Sequence, residues 1–236
     1  MSKLFLKGSF EDEGLNNFEV QILSNLSKRY NLPLAFKIGG CEAKSDIMTA
    51  LNYGASCIVA PMVESEFAAQ KFISATDQHL EHICERNINI ETITAIENID
   101  NILRKNHKFL NGVVLGRTDL CLSLGTTKKE VDSIKTMELV RKSLKVAKSY
   151  GLTTTMGGSV NVNSIEHIAN LFHENLLDRF ETRKVIMAAS DDVNKLKRLL
   201  SESFEIEKVF LKRTLYNYDI GQKLANLRNN SIDQRG

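Results

Sequence analysis

Two acidic residues in the middle of the chain stand where strands should end. Glu91 closes the alternating segment Ile88-Asn89-Ile90-Glu91, and Asp119 follows the apolar run Val113-Val114-Leu115 after Gly116-Arg117-Thr118. A short β-branched run bounded by glycine or polar residues reads as a buried parallel strand. Between the two, Ile96, Ile99 and Leu103 mark one face of a helix. The unit is strand, helix, strand, and a parallel crossover brings both carboxylates out at the same end of neighbouring strands. Two acidic oxygens converging there suit a hard divalent cation. The alternative is a pair of strand-end carboxylates that cap the helices after them.

The rest of the chain repeats that unit. Strands are expected at 4–10, 34–38, 57–60, 88–91, 113–116, 153–156 and 179–187, with Glu181 and Arg183 as awkward charges inside the last that either pair with each other at the barrel end or face the site. Helical spacing of apolar residues falls between them, from 17 to 30, 42 to 53, 65 to 77, 129 to 150 and around Ile165 and Phe172. This alternation predicts a wholly parallel α/β fold, and seven or eight units over this length favour a TIM-type β/α barrel. Residues 1–190 are read as the barrel. Residues 191–236 are read as a helical extension that packs on the barrel or on a neighbouring subunit. At the barrel mouth this places Glu11, Glu13, Lys37, Glu64, Glu91, Arg117, Asp119 and Ser159, a concentration of charge that packing does not explain.

Composition narrows the classes. With 42% hydrophobic and 25% charged residues, the 236-residue chain is an ordinary globular sequence. A net charge of +2 makes no global case for a nucleic-acid or membrane partner. The four cysteines lack CxxC spacing and no secretory signal is visible, so reduced thiols and a cytoplasmic location are expected. No GxGxxG follows the first strand and no P-loop occurs, which disfavours dinucleotide and nucleotide-triphosphate chemistry.

Three segments resemble the HpcH/HpaI aldolase and citrate lyase beta-subunit family. They are Ile88-Asn89-Ile90-Glu91-Thr92-Ile93-Thr94-Ala95, then Gly112-Val113-Val114-Leu115-Gly116-Arg117-Thr118-Asp119-Leu120 continued by Ser123-Leu124-Gly125, and Ile58-Val59-Ala60-Pro61-Met62-Val63-Glu64. The resemblance implies a phosphoenolpyruvate/pyruvate-type barrel that binds Mg²⁺ or Mn²⁺ and makes or breaks a carbon–carbon bond through an enolate. On that pattern Glu91 and Asp119 are the metal ligands. Gly116 and the residues just after it, Arg117 among them, would lie near the substrate carboxylate with Lys37. Separately, the Gly157-Gly158-Ser159 turn reads either as a source of backbone N–H groups for a substrate anion at a helix start or as a simple loop.

The departures from the pattern carry as much information. Lys37 stands where the family carries a substrate-binding arginine, keeping the charge but losing the bidentate fork. Gly14 stands where the aldolase branch has a histidine after Glu11-Asp12-Glu13. A proton-transfer role then falls to Glu11 or Glu13, with Lys37 beside them. Only a few residues precede the acidic strand, so the barrel is expected to lack or modify its first strand.

The expectation is a divalent-metal-dependent carbon–carbon lyase or aldolase acting on a small 2-oxo acid. An acyl-CoA ester lyase, as in the citrate lyase branch, and a degenerate barrel with a binding or structural role are its rivals. A homo-oligomer is expected through Val209, Leu211, Leu215, Tyr216 and Tyr218 on the C-terminal helix.

Overall fold

The computed structural model describes residues 3–233, with side chains described for residues 4–223. Eight strands close a barrel in sequence order: β1 (Lys3–Ser9), β2 (Leu34–Lys37), β3 (Ala55–Ala60), β4 (Glu85–Ile90), β5 (Gly112–Gly116), β6 (Thr153–Gly157), β7 (Arg179–Glu181) and β8 (Val185–Ala188). Around them lie α1 (Asn17–Tyr30), α2 (Lys44–Asn52), α3 (Glu66–Asp77), α4 (Ile93–Asn106), α5 (Arg117–Ser123), α6 (Ile134–Ser149), α7 (Ile165–His173) and α8 (Val193–Asp233). Among the described residues no helix is long and apolar enough to cross a membrane.

The barrel is not wholly parallel. Strands β1 to β7 run parallel, whereas β8 pairs antiparallel with both β7 and β1. The single strand expected over 179–187 is therefore a hairpin, closed by a Thr182 N–H bond to the Val185 carbonyl at 3.0 Å. Three residues separate β7 from β8, and a parallel return needs a dozen or more. Only an antiparallel strand can follow. The departure from a regular barrel thus lies at the last strand, while β1 is present and pairs on both sides.

Alternation along each strand sorts the side chains. Outward residues such as Leu6, Phe36, Ile58, Ile88, Leu115 and Met156 join the helices in one core cluster. Inward residues Phe5, Ala35, Cys57, Val59, Val114 and Ile186 form a smaller cluster inside the barrel. Below it Arg179 forks onto Glu85, at 2.6 and 3.0 Å, closing the base. Burial pushes the Cys57 thiol up, so it stays a protonated filler.

Local chemistry fixes the helix starts. Asn16 begins α1 with a reciprocal capping box to Glu19. Thr92 caps α4 by accepting the Ala95 N–H at 3.1 Å, which leaves Glu91 out of the cap. Likewise Asp119 makes no capping bond and sits in the first turn of α5. The first half of α8 packs through Leu196, Leu199, Leu200, Ile206 and Phe210 into the main core. Beyond it Leu211, Leu215, Tyr216 and Tyr218 are exposed, while Val209 is partly buried against the core.

Candidate active site

The strand ends surround a cavity of about 500 Å³ at the mouth of the barrel. Glu91, Asp119, Lys37, Glu13, Gly116 and Ser159 all line it, together with Lys7, Asp12, Asn89 and Glu181. Six carboxylates face it against four cationic side chains, so its field favours a cation.

Glu91 is almost wholly buried and rigidly held. The Met62 N–H donates to its Oε1 at 3.0 Å, and the Asn89 amide donates to Oε2 at 2.7 Å. Met62 makes that bond from a left-handed backbone, φ +49°, which a non-glycine residue rarely adopts. Asp119, half-buried, has no hydrogen-bond or ion-pair partner among the described residues. Burial, reinforced by the neighbouring Glu91, raises its pKa.

Lys37 is the hub of the acidic side. Its Nζ lies 2.5 Å from Glu11, 3.3 Å from Asp12 and 3.4 Å from Glu91. Burial pulls such an ammonium down, but Glu91, with Glu11 and Asp12, outweighs it and holds Lys37 well above the ordinary lysine range. Lys37 is therefore a fixed positive charge and not a neutral amine nucleophile. Glu11 is raised, chiefly by burial, with Lys37 opposing.

Three residues expected at the mouth, Arg117, Glu64 and Glu11, do not line the cavity, and Glu13 lines it but is engaged. Arg117 is fully buried and does not line the cavity. Its guanidinium pairs with Asp132 and donates to the carbonyls of Gly157 at 3.0 Å and Gly158 at 3.1 Å, and to Ser164 Oγ at 3.2 Å. It fastens the β6 loop rather than a substrate. The reason is direction: Arg117 opens α5 and points back between α6 and the β6 loop. Glu13 is tied up by Lys184 at 2.6 Å and by the Ser9 N–H at 3.1 Å, and Lys184 stands 3.9 Å over the Phe210 ring. It cannot easily serve as a free base. Glu64 accepts from Thr92 Oγ1 at 2.5 Å, outside the cavity.

The glycines complete the floor. A Cβ on Gly116 would stand 2.5 Å from Glu91 Oε2, and one on Gly158 2.5 Å from the Arg117 and Thr118 nitrogens. Ser159, at φ +54°, meets Thr118 across the mouth at 3.0 Å between hydroxyl oxygens.

The sequence does not pick out Lys7, Asn89 and Thr182 as site residues, and it leaves Glu181 either paired with Arg183 or facing the site; Glu181 lines the cavity and pairs with Lys7, while Arg183 pairs with Glu207 at 3.7 Å. The signal for Lys7 and Asn89 was present: each is a polar residue at an inward position, with Lys7 two residues before Ser9 and Asn89 two before Glu91. Glu181 and Thr182 depend on the hairpin, which no glycine, proline or asparagine announces.

The residues present fit a divalent cation. Among the described residues no group of three or more Asp, Glu, His or Cys side chains is placed to hold an ion. Glu91 and Asp119 line the same cavity, Asp119 makes no hydrogen bond or ion pair among the described residues, and the field is negative. Mg²⁺ is commonly held by one or two carboxylates, with water and substrate oxygens supplying the rest.

Comparison with known proteins agrees with this architecture. A hydroxypyruvate/pyruvate aldolase of Rhizorhabdus wittichii is 30% identical over 169 residues, spanning 56% of this chain and 66% of that protein, just under two thirds of its length. An HpcH/HpaI aldolase structure from Desulfitobacterium hafniense superposes with TM-score 0.61 at 17% identity, over 86% of this chain and 82% of the other. The citrate synthase SbnG superposes with TM-score 0.62 at 20% identity, over 86% and 83%. At those identities the structures show a shared fold. The sequence profile of the HpcH/HpaI aldolase/citrate lyase family matches residues 41–174, a stretch that spans more than half of the chain and holds both Glu91 and Asp119. The chain belongs to the HpcH/HpaI aldolase/citrate lyase family.

Proposed function

We propose that this protein is a divalent-metal-dependent carbon–carbon lyase or aldolase acting on pyruvate or a related small 2-oxo acid. The observation that carries the reading is the pairing of Glu91 and Asp119 in one electronegative cavity, with the fixed charge of Lys37 beside them. A cation held there would polarise a chelated 2-oxo acid and favour its enolate.

The chain's own groups do the rest. Gly116 leaves bare backbone against which the Glu91 carboxylate lies, and any side chain there would displace that carboxylate. Lys37 supplies a positive charge toward a substrate carboxylate or developing enolate oxygen. It offers three donors and no fork, so it orients a bound acid less strictly than an arginine does. The Thr118 and Ser159 hydroxyls at the rim can bond the outer part of the substrate. Family membership and the aldolase relative from R. wittichii support the reaction class.

One observation favours the degenerate-barrel reading instead. Lys37 already places an internal cation among Glu11, Asp12 and Glu91, so the acids are partly neutralised without a metal. Thermal unfolding with Mg²⁺ or Mn²⁺ and oxalate separates the two. A ligand at about a hundred times its Kd adds about 2.7 kcal/mol to stability. The wild type is expected to show that gain, while Glu91→Gln and Asp119→Asn lose it. A wild type with no metal-linked stabilisation overturns the lyase reading.

A further inference from the structure

The strand ends repeat one arrangement twice. Gly116 on β5 and Gly157 on β6 are register partners. A Cβ on Gly116 would meet Glu91 Oε2 at 2.5 Å, and one on Gly157 would meet Glu181 Oε1 at 2.9 Å. Glu91 follows β4 and Glu181 ends β7, so the two carboxylates flank a pair of bare glycines, of which Gly116 lines the cavity. Each is paired with a lysine two strands away around the barrel: Lys37 of β2 for Glu91, and Lys7 of β1 for Glu181.

The two carboxylates differ in what their oxygens do. Both oxygens of Glu91 accept hydrogen bonds, from the Met62 N–H and from Asn89. Glu181 gives Oε1 to Lys7, whereas its Oε2 is buried with no hydrogen-bond partner among the described residues. Glu181 is more than nine-tenths buried, yet it lines the cavity. A buried carboxylate oxygen without a donor is costly, and on a side chain that lines a cavity it is left free to meet a proton or a donor on a ligand. Of the other acids, Glu13 is engaged with Lys184, Glu207 with Arg183, and Glu11 and Asp12 with Lys37, while unpartnered Asp119 is taken with Glu91 as a cation ligand under the reading above. No histidine lines the cavity.

We propose that Glu181 is the acid–base residue of this site, with Lys7 as its positioning residue. This rests on the aldolase reading above. In cleavage of a 4-hydroxy-2-oxo acid, Glu181 Oε2 takes the proton of the C4 hydroxyl. The O–H electron pair becomes the carbonyl bond of the departing aldehyde, and the C3–C4 pair stays on C3 as the enolate. Glu181 then returns the proton to C3, which regenerates the carboxylate and the 2-oxo acid. With pyruvate alone the same oxygen removes a C3 proton and, in D₂O, returns a deuteron.

Loss of the pyruvate methyl signal in D₂O with Mg²⁺, followed by proton NMR, reads this step directly. Positioned acid–base groups contribute about 10²–10⁴-fold, so Glu181→Gln is expected to slow exchange at least about 100-fold. Its oxalate-and-Mg²⁺ melting shift should stay at the wild-type value. Lys7→Met should lower the rate and displace the pH profile of exchange, and Lys7→Arg should restore that profile. Should Glu181→Gln fail to fold, Glu181→Asp keeps the charge opposite Lys7 and withdraws the second oxygen, and exchange should still fall about tenfold or more. Wild-type exchange with an unslowed, folded Glu181 variant overturns the proposal and leaves the aldolase reading standing. No exchange by a wild type that binds Mg²⁺ and oxalate overturns both.

Discussion

Replacing Arg117 by methionine separates a structural arginine from a substrate-binding one. The side chain is fully buried, and methionine keeps much of its length while removing every donor. The change strips a partner from Asp132 and from the Gly157 and Gly158 carbonyls and Ser164 Oγ. Breaking a buried ion pair by removing one partner costs about 3–5 kcal/mol. Asp132 retains 16% side-chain exposure and can partly rehydrate, which places the expected loss at the lower end, about 3 kcal/mol. For a domain of this size each kcal/mol moves Tm by about 2–4 °C, so the variant should melt about 6–12 °C lower. Urea unfolding gives the free energy directly. Adding Asp132→Asn to the variant should recover part of the loss, because the stranded carboxylate is then gone. A variant with wild-type stability but weakened oxalate binding would refute this reasoning and return Arg117 to the substrate.

Two further outcomes are expected. Asp178 is pushed up by burial, but Lys148 at 2.6 Å and the Thr154 N–H at 2.8 Å outweigh that and hold its carboxyl below the usual range. A depressed folded-state pKa gives stability that is complete above the unfolded value, about 3.9, and is lost as pH falls through the folded value. The gap in urea midpoint between wild type and Asp178→Asn should therefore be open at neutral pH and close in acid. A gap that persists below both values counts against the linkage. Separately, Leu215 and Tyr216 are 68% and 66% exposed on α8, more than a solvated helix needs. Sedimentation velocity should show wild type larger than one protomer and Leu215→Glu as a single protomer; a monomeric wild type removes the oligomer expectation.

The repeating unit and the positions of the two central carboxylates are legible in the order of the amino acids alone. Strand ends at Glu91 and near Asp119 are written in local signals, apolar runs that stop in polar residues, and such signals survive without tertiary context. The inward alternation of Lys7, Asn89 and Glu91 was equally legible once a barrel was assumed. What the tertiary structure decided was direction and pairing. Periodicity over Arg179–Met187 reads as one strand, and only closure against β1 shows that the chain reverses at Thr182–Lys184. That reversal carries Glu181 and Thr182 to the mouth. Arg117 is two residues from Asp119 in sequence, yet the turn of α5 sends one into the core and leaves the other at the cavity. Charge and spacing name the residues able to do chemistry, but which carboxylates remain free is set by the cations that distant strands bring against them, and that is a property of the closed barrel.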